Sequence, residues 1–244
     1  MLLRRWIVPA LATALGAGLF TYLGLWQKGK AERVESTIAQ YELRAQQPPE
    51  IIGPARIDPA QAANARFTVR GRYEPEHQFF VDNRQEAGQA GVHVVTPLRI
   101  DQSDVRILIN RGWIGWPGGR RVLPEVAVPD GIVEITGTAQ VPSTRESLWT
   151  PDRQEAAANL WSRVDLARYA ATSGHAVQPV VLLQDSGNAN DGLVRHWPAP
   201  ENRAPMHWSY AYQWFGITAA LVAFFGYSMW RSVSRGRARA LPAG

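Results

Sequence analysis

The residues best suited to chemistry cluster near the C-terminal end of the chain. Residues 205–230, PMHWSYAYQWFGITAALVAFFGYSMW, lie in a run without charge between Arg203 and Arg231. The first turns of this run set one imidazole, His207, among Trp208, Tyr210, Tyr212, Gln213 and Trp214. Imidazole is the side chain that binds metals and changes charge near neutral pH. At the mouth of an apolar helix it is costly unless it is used or solvated. The plainer alternative is an interfacial histidine bonded to lipid headgroups or water.

Other candidate constellations are weaker. Ser173, His175 and Asp165 supply the residue types of a hydrolase triad, but no Gly-x-Ser-x-Gly elbow presents the serine. His77, His93, His175 and His196 are scattered, with no pair at metal-ligand spacing. His93 alternates with Val92 and Val94, as a half-buried or surface strand residue would. The chain has no cysteine and three methionines that do not cluster, which excludes thiol catalysis and disfavours copper carriage. The acids of DSGNANDG (185–192) do not fall at calcium-loop positions, and no glycine loop suited to phosphates is present.

Two apolar runs would position His207. Residues 207–230 are long enough for a membrane helix, with aromatics at one boundary and Arg231, Arg235, Arg237 and Arg239 after the other. The N-terminus mirrors this: after MLLRR, residues 6–26 continue without charge, bracketed by Trp6 and Trp26. A cleavable secretory signal is the competing reading, since small residues at 10, 12 and 14 imitate a cleavage site. The apolar run continues to Leu25, too far for such a signal, and favours an uncleaved anchor. Ala12, Gly16 and Gly24 fall near one face and would admit a neighbouring helix. Residues 27–203 hold 20 of the 26 basic residues and all 21 acids, so the arginine excess belongs to the two ends. The high pI therefore reflects membrane-flanking arginines rather than a nucleic-acid surface. The expected topology has cytoplasmic tails at 1–5 and 231–244, and a periplasmic domain at 27–206, in a bacterial inner membrane. Five residues before the first span leave no room for a mitochondrial transit peptide.

The loop should fold as one α+β domain, mainly antiparallel β, as a sheet or barrel-like meander. Val34, Ile38 and Tyr41 make a helical stripe that Pro48 and Pro49 end. A short helix fits residues 60–65. Strands are expected at 67–73, 78–82, 92–100, 105–110, 132–141 and 177–183, with a helical interlude at 154–174. Arg111, after the strand ILIN, would pair with an acid such as Asp82, while Gly112 allows a turn before Trp113. The alternative for NRGW is a surface that meets a partner or cofactor.

Four stretches resemble one family. VRILINRGWIGW (105–116) is similar to the "vLvNRGWvP" signature of the surfeit-locus (Surf/Shy) family of cytochrome c oxidase assembly factors. FVDNRQEAGQAGVHVVTPL (80–98), LGLWQ (23–27) and MHWSYAYQWF (206–215) resemble its other segments, in the right order across both spans. Gly115 stands where the family usually has proline, Trp208 where leucine is usual and Met206 where asparagine is common.

The resemblance implies a non-enzymatic assembly factor that assists heme a handling and insertion into oxidase subunit I. It makes His207 the expected heme a ligand. Neutral imidazole is a common axial ligand of heme iron. Helical spacing would put His207, Tyr210, Ala211 and Trp214 on one face, with Ala211 leaving room for a flat ring and Tyr210 and Trp214 walling it. Arg203 would pair with a propionate. Subunit I, heme a synthase and membrane lipids are the implied partners, with no role for nucleic acid. The alternative is a cofactor-free scaffold that holds subunit I during assembly.

Overall fold

The computed structural model describes residues 4–117, 122–142, 158–187 and 191–240. The chain divides into a helical unit, Met1–Gln40 with Pro200–Gly244, and a β-rich unit, Tyr41–Ala199.

The helical unit is built on two long helices, α1 (Arg4–Ala45) and α4 (Ala204–Ala240). Along α1 the less exposed positions recur three and four residues apart, at Gly24, Gln27, Ala31, Val34 and Ile38. Along α4 the same spacing runs through Ala204, His207, Ala211, Trp214, Thr218 and Leu221. A 3.5-residue repeat keeps two helices in continuous contact along one seam. The pairing is antiparallel. Gln27 meets His207, Phe20 stacks on Trp214 with ring centroids 5.6 Å apart, and Trp6 lies edge-on to Phe225. Close approach needs the small residues of α1. A Cβ on Gly24 would stand 2.5 Å from Phe215 Cε1, and one on Gly16 would stand 3.0 Å from Leu221 Cδ2. By length and composition α1 holds a stretch apolar enough to cross a membrane.

The first span and the helical stripe after it are one element rather than two. Helix formation is costly to nucleate and cheap to extend. KGKAERVESTIAQYELRA consists mostly of good helix formers, with a Lys28–Glu32 pair one turn apart at 2.8 Å. The helix therefore runs 19 residues past Trp26, about 28 Å at 1.5 Å per residue.

Among the described residues the β-rich unit has eight strands: β1 (Glu50–Ile52), β2 (Arg66–Tyr73), β3 (Phe79–Glu86), β4 (Gln89–Ile100), β5 (Val105–Gly115), β6 (Val133–Gln140), β7 (Leu160–Trp161) and β8 (Ala176–Gln184). Two short helices, α2 (Pro59–Ala62) and α3 (Leu166–Ser173), join them. The strand order is β1-β2-β6-β8-β5-β4-β3-β7, and β2 also pairs with β4. That extra pairing closes β2, β6, β8, β5 and β4 into a five-stranded barrel. Closure brings backbones together at Gly71, where a Cβ would lie 2.2 Å from the Arg99 carbonyl oxygen. Val69, Leu98, Ile107, Ile109, Ile135, Val180 and Leu182 fill the barrel. Outside it, β3, β7 and α3 enclose a second core, where Phe79 stacks on Trp161 at 4.0 Å.

The expected α+β, mainly antiparallel domain is present, with differences. Three pairings are parallel: β1 with β2, β3 with β7 and β5 with β8. β5 does not stop at Asn110 but continues through NRGWIG. Gly112, at φ 139°, takes up a bulge opposite Val94 and Val95. There is therefore no turn before Trp113. Part of the expected helical interlude is strand β7, and α3 begins only at Leu166. There Asp165 caps it, accepting a bond from the Arg168 N–H at 2.9 Å. Residues 154–157 of that interlude lie outside the described residues.

Candidate functional site

His207 sits in the first turn of α4. Its Nδ1 is 2.9 Å from Oε1 of Gln27 on α1. The amide oxygen accepts, so Nδ1 carries the proton and the Nε2 lone pair is left for a ligand. This is the arrangement in which one ring nitrogen is fixed by a partner and the other is free to bind. Next to it, Trp208 donates its Nε1–H to Glu35 at 2.7 Å and stacks on Tyr212.

The other expected residues are disposed differently. Tyr210 is half exposed and Ala211 is fully buried. Ala211 therefore offers no open floor for a planar ring; its small side chain serves the close approach of the two helices. Trp214 is partly buried against Phe20. Thr218 donates its hydroxyl to the Trp214 carbonyl at 3.0 Å. Arg203 is exposed and already holds a carboxylate, with its Nη2 2.6 Å from Glu201. Its hydrogen bond and charge keep the Glu201 carboxyl below the ordinary value. Any other carboxylate would have to displace Glu201.

Gln27 is the site residue that sequence reasoning missed. Its signal was present: it is the polar residue that ends the uncharged N-terminal run, level with His207 across an antiparallel pair. A polar side chain at a helix mouth needs a partner.

The other candidate sets do not come together as sites. Asp165 is spent capping α3, and Ser173 donates its hydroxyl to the Tyr169 carbonyl at 2.8 Å. His196 is exposed and meets Glu86 at 3.2 Å. Among the described residues, no three His, Cys, Asp or Glu side chains converge on a point.

The NRGW segment holds a buried polar node. Arg111 is 1% exposed. It donates to the Ala127 carbonyl at 2.8 Å and pairs with Asp191 at 3.3 Å, and its guanidinium lies 5.4 Å from the Tyr73 ring centre. Its carboxylate is thus Asp191, from the DSGNANDG stretch, and not Asp82. Arg195 pairs with the same carboxylate. Burial pushes the Asp191 carboxyl up. The hydrogen bonds from Arg195 and the Leu193 N–H, together with both arginine charges, outweigh burial and hold it below the ordinary value. Asn110 Oδ1 accepts the Gly112 N–H at 3.3 Å. Trp113 exchanges backbone hydrogen bonds with Val194, at 2.7 and 2.9 Å. NRGW therefore ties the barrel wall to the 191–195 segment.

A five-stranded barrel with an outer β3–β7–α3 layer, in a chain whose helices α1 and α4 form an antiparallel pair bearing a hydrogen-bonded imidazole, defines a class: a β-barrel domain inserted in sequence between two long helices. The family model for SURF1 matches residues 14–219, and the chain belongs to the SURF1 family. It is 24% identical over 220 residues to Surfeit locus protein 1 of Takifugu rubripes, covering 81% of this chain and 87% of that protein. It is 24% identical over 215 residues to the SURF1-like protein of Rickettsia bellii, covering 85% of each. It is 25% identical over 219 residues to Surfeit locus protein 1 of Homo sapiens, covering 81% and 70%.

Proposed function

We propose that this protein is an assembly factor for cytochrome c oxidase that holds heme a before its insertion into subunit I. His207 Nε2 is the iron ligand in this reading. The observation that carries it is the Gln27–His207 hydrogen bond, in a chain of the SURF1 family. That bond orients the ring and leaves one nitrogen with a lone pair. Heme a itself would supply the redox centre of the oxidase; the protein's part is to bind and orient it. Tyr210 and Trp214, three and seven residues after His207 on the same helix face, are the aromatic side chains that would flank a ring, and Arg203 is the cation for a propionate, in exchange for Glu201. The partners are subunit I as acceptor, heme a synthase as donor and the lipids around the two helices.

In this reading α1 and the 207–230 part of α4 both cross a bacterial inner membrane, with the β-rich unit in the periplasm and both termini in the cytoplasm. The absence of charge between Arg203 and Arg231 supports a second span, and the terminal arginines support the orientation. Reporter fusions test it. A fusion at Gly244 should show cytoplasmic activity and one at Gly131 periplasmic activity. Periplasmic activity at Gly244 rules the topology out.

A cofactor-free scaffold is the second reading, favoured by the burial of Ala211 and the engagement of Arg203 by Glu201. Spectroscopy separates the two. Protein purified from cells that make heme a should carry a low-spin heme a spectrum. If it carries none, the scaffold reading takes first place.

A further inference from the structure

A second site lies in the β-rich unit, away from His207 in sequence and built from other chemistry. A cleft of about 450 Å³ opens where β3, β4 and β5 meet the segments around Arg163 and Trp197. Arg84, Arg163 and His93 line it on the polar side, and Val81, Leu183 and Trp197 on the apolar side. No aspartate or glutamate is among its lining residues.

The hydrogen-bond donors face a deficit of acceptors. Arg84 Nε is buried and has no hydrogen-bond partner among the described residues. A buried, unpartnered guanidinium nitrogen is costly unless something accepts from it. Burial holds the Arg84 guanidinium below its ordinary pKa, opposed in part by the charge of Asp82. No ion pair is formed by Arg163 among the described residues.

His93 adds a further donor, and the chain of bonds fixes which nitrogen it uses. Asn110 Oδ1 accepts the Gly112 N–H, so the Asn110 amide nitrogen is the end turned to His93, 3.1 Å from Nδ1. Nδ1 therefore accepts, and Nε2 carries the proton. Burial, helped by the charge of Arg84, pushes the imidazole down to about 4, so it stays a neutral donor at physiological pH. Trp197 meets the His93 ring edge-to-face at 5.4 Å and is pinned by its Nε1–H to the Gln184 carbonyl at 2.8 Å. It forms a rigid aromatic wall beside the donors.

We propose that this cleft binds an organic carboxylate, with its oxyanion held by Arg84 and Arg163 and its apolar body laid against Trp197, Val81 and Leu183. Two guanidiniums in a cleft whose lining holds no carboxylate match an oxyanion, which accepts from both. The apolar wall selects an anion that carries a hydrophobic body over a bare inorganic one.

The test uses the full chain in lipid nanodiscs, with saturation-transfer NMR titrations and empty nanodiscs as blank. The probes are benzoate, its neutral analogue benzamide, and inorganic phosphate. Benzoate should bind at least about tenfold more tightly than benzamide, because only the carboxylate satisfies the guanidiniums. Inorganic phosphate should not displace it at equal concentration. Arg84→Gln and Arg163→Gln should each weaken benzoate about tenfold or more and shrink its advantage over benzamide. Trp197→Leu should weaken both aromatic probes together. Circular dichroism melts identify any variant that has lost its fold, and the other arginine variant then stands as the measurement. Equal binding of benzoate and benzamide overturns the proposal, as does wild-type benzoate affinity in a folded arginine variant. Displacement by phosphate as effective as by benzoate overturns the organic part.

Discussion

His207→Ala should abolish recovery of heme a with the protein while leaving the chain inserted and the barrel folded. The residue lies in the first turn of α4, outside the barrel core, so its loss costs the β-rich unit nothing. The apolar length of the helix is unchanged, so insertion should hardly alter. In the proposed role the side chain supplies the Nε2 lone pair, which alanine cannot. His207→Met should keep some heme with an altered spectrum, because a thioether also ligates heme iron. Gln27→Leu isolates the supporting bond. It removes the acceptor that fixes the Nδ1 proton but keeps the ligand, so heme should bind more weakly, by roughly 10- to 100-fold, with a shifted spectrum rather than none. His93→Ala and His196→Ala serve as controls, since one ring belongs to the carboxylate cleft and the other is exposed against Glu86. Wild-type heme content and spectrum in His207→Ala would remove the assignment, whatever the other variants do.

The parts of this molecule that local chemistry dictates were legible in the sequence. Alternation and glycine or proline punctuation located β2, β4, β6 and β8 close to their observed bounds, because period-2 burial is imposed strand by strand. The uncharged runs and their aromatic borders located the two long helices. What local pattern does not encode is which strands become neighbours, so the parallel pairings and the β2–β4 closure of the barrel were not visible. The continuation of β5 through NRGW was hidden for a related reason. Gly112 reads as a turn until the opposing strand shows that the same positive φ makes a bulge. Long-range ion pairs fared worst. Arg66 pairs with Asp185, Arg106 with Glu74 and Arg111 with Asp191, partners separated by 32 to 119 residues. The chain offers many acids for each arginine, and only the fold selects among them. The Gln27–His207 contact is intermediate: both residues lay in stretches that stood out, and only the antiparallel register of two helices joins them.

Arg111→Ala should destabilise the β-rich unit by about 3 kcal/mol, the scale for breaking a buried ion pair from one side. For a unit of this size that lowers the melting temperature by roughly 6–12 °C. The guanidinium is 1% exposed, and its removal strips the Ala127 carbonyl and Asp191 of a donor at once. Arg195 still holds Asp191, which keeps the loss from being larger. Arg111→Lys should fall between the two, because an ammonium keeps the charge but not the fork that spans both acceptors. The pH dependence gives an independent check through Asp191→Asn. The folded Asp191 carboxyl titrates below its unfolded value. Its contribution is therefore fully present above the unfolded carboxylate pKa of about 3.9, and is lost as pH falls through the lower folded value. The stability gap between wild type and Asp191→Asn should be widest near neutrality and close as the solution is made more acid than about pH 4. A gap that stays constant to low pH means Asp191 is not the carboxylate that balances Arg111. An Arg111→Ala protein that melts like wild type yet fails to support oxidase assembly would instead move NRGW from the frame of the barrel to the surface that meets a partner.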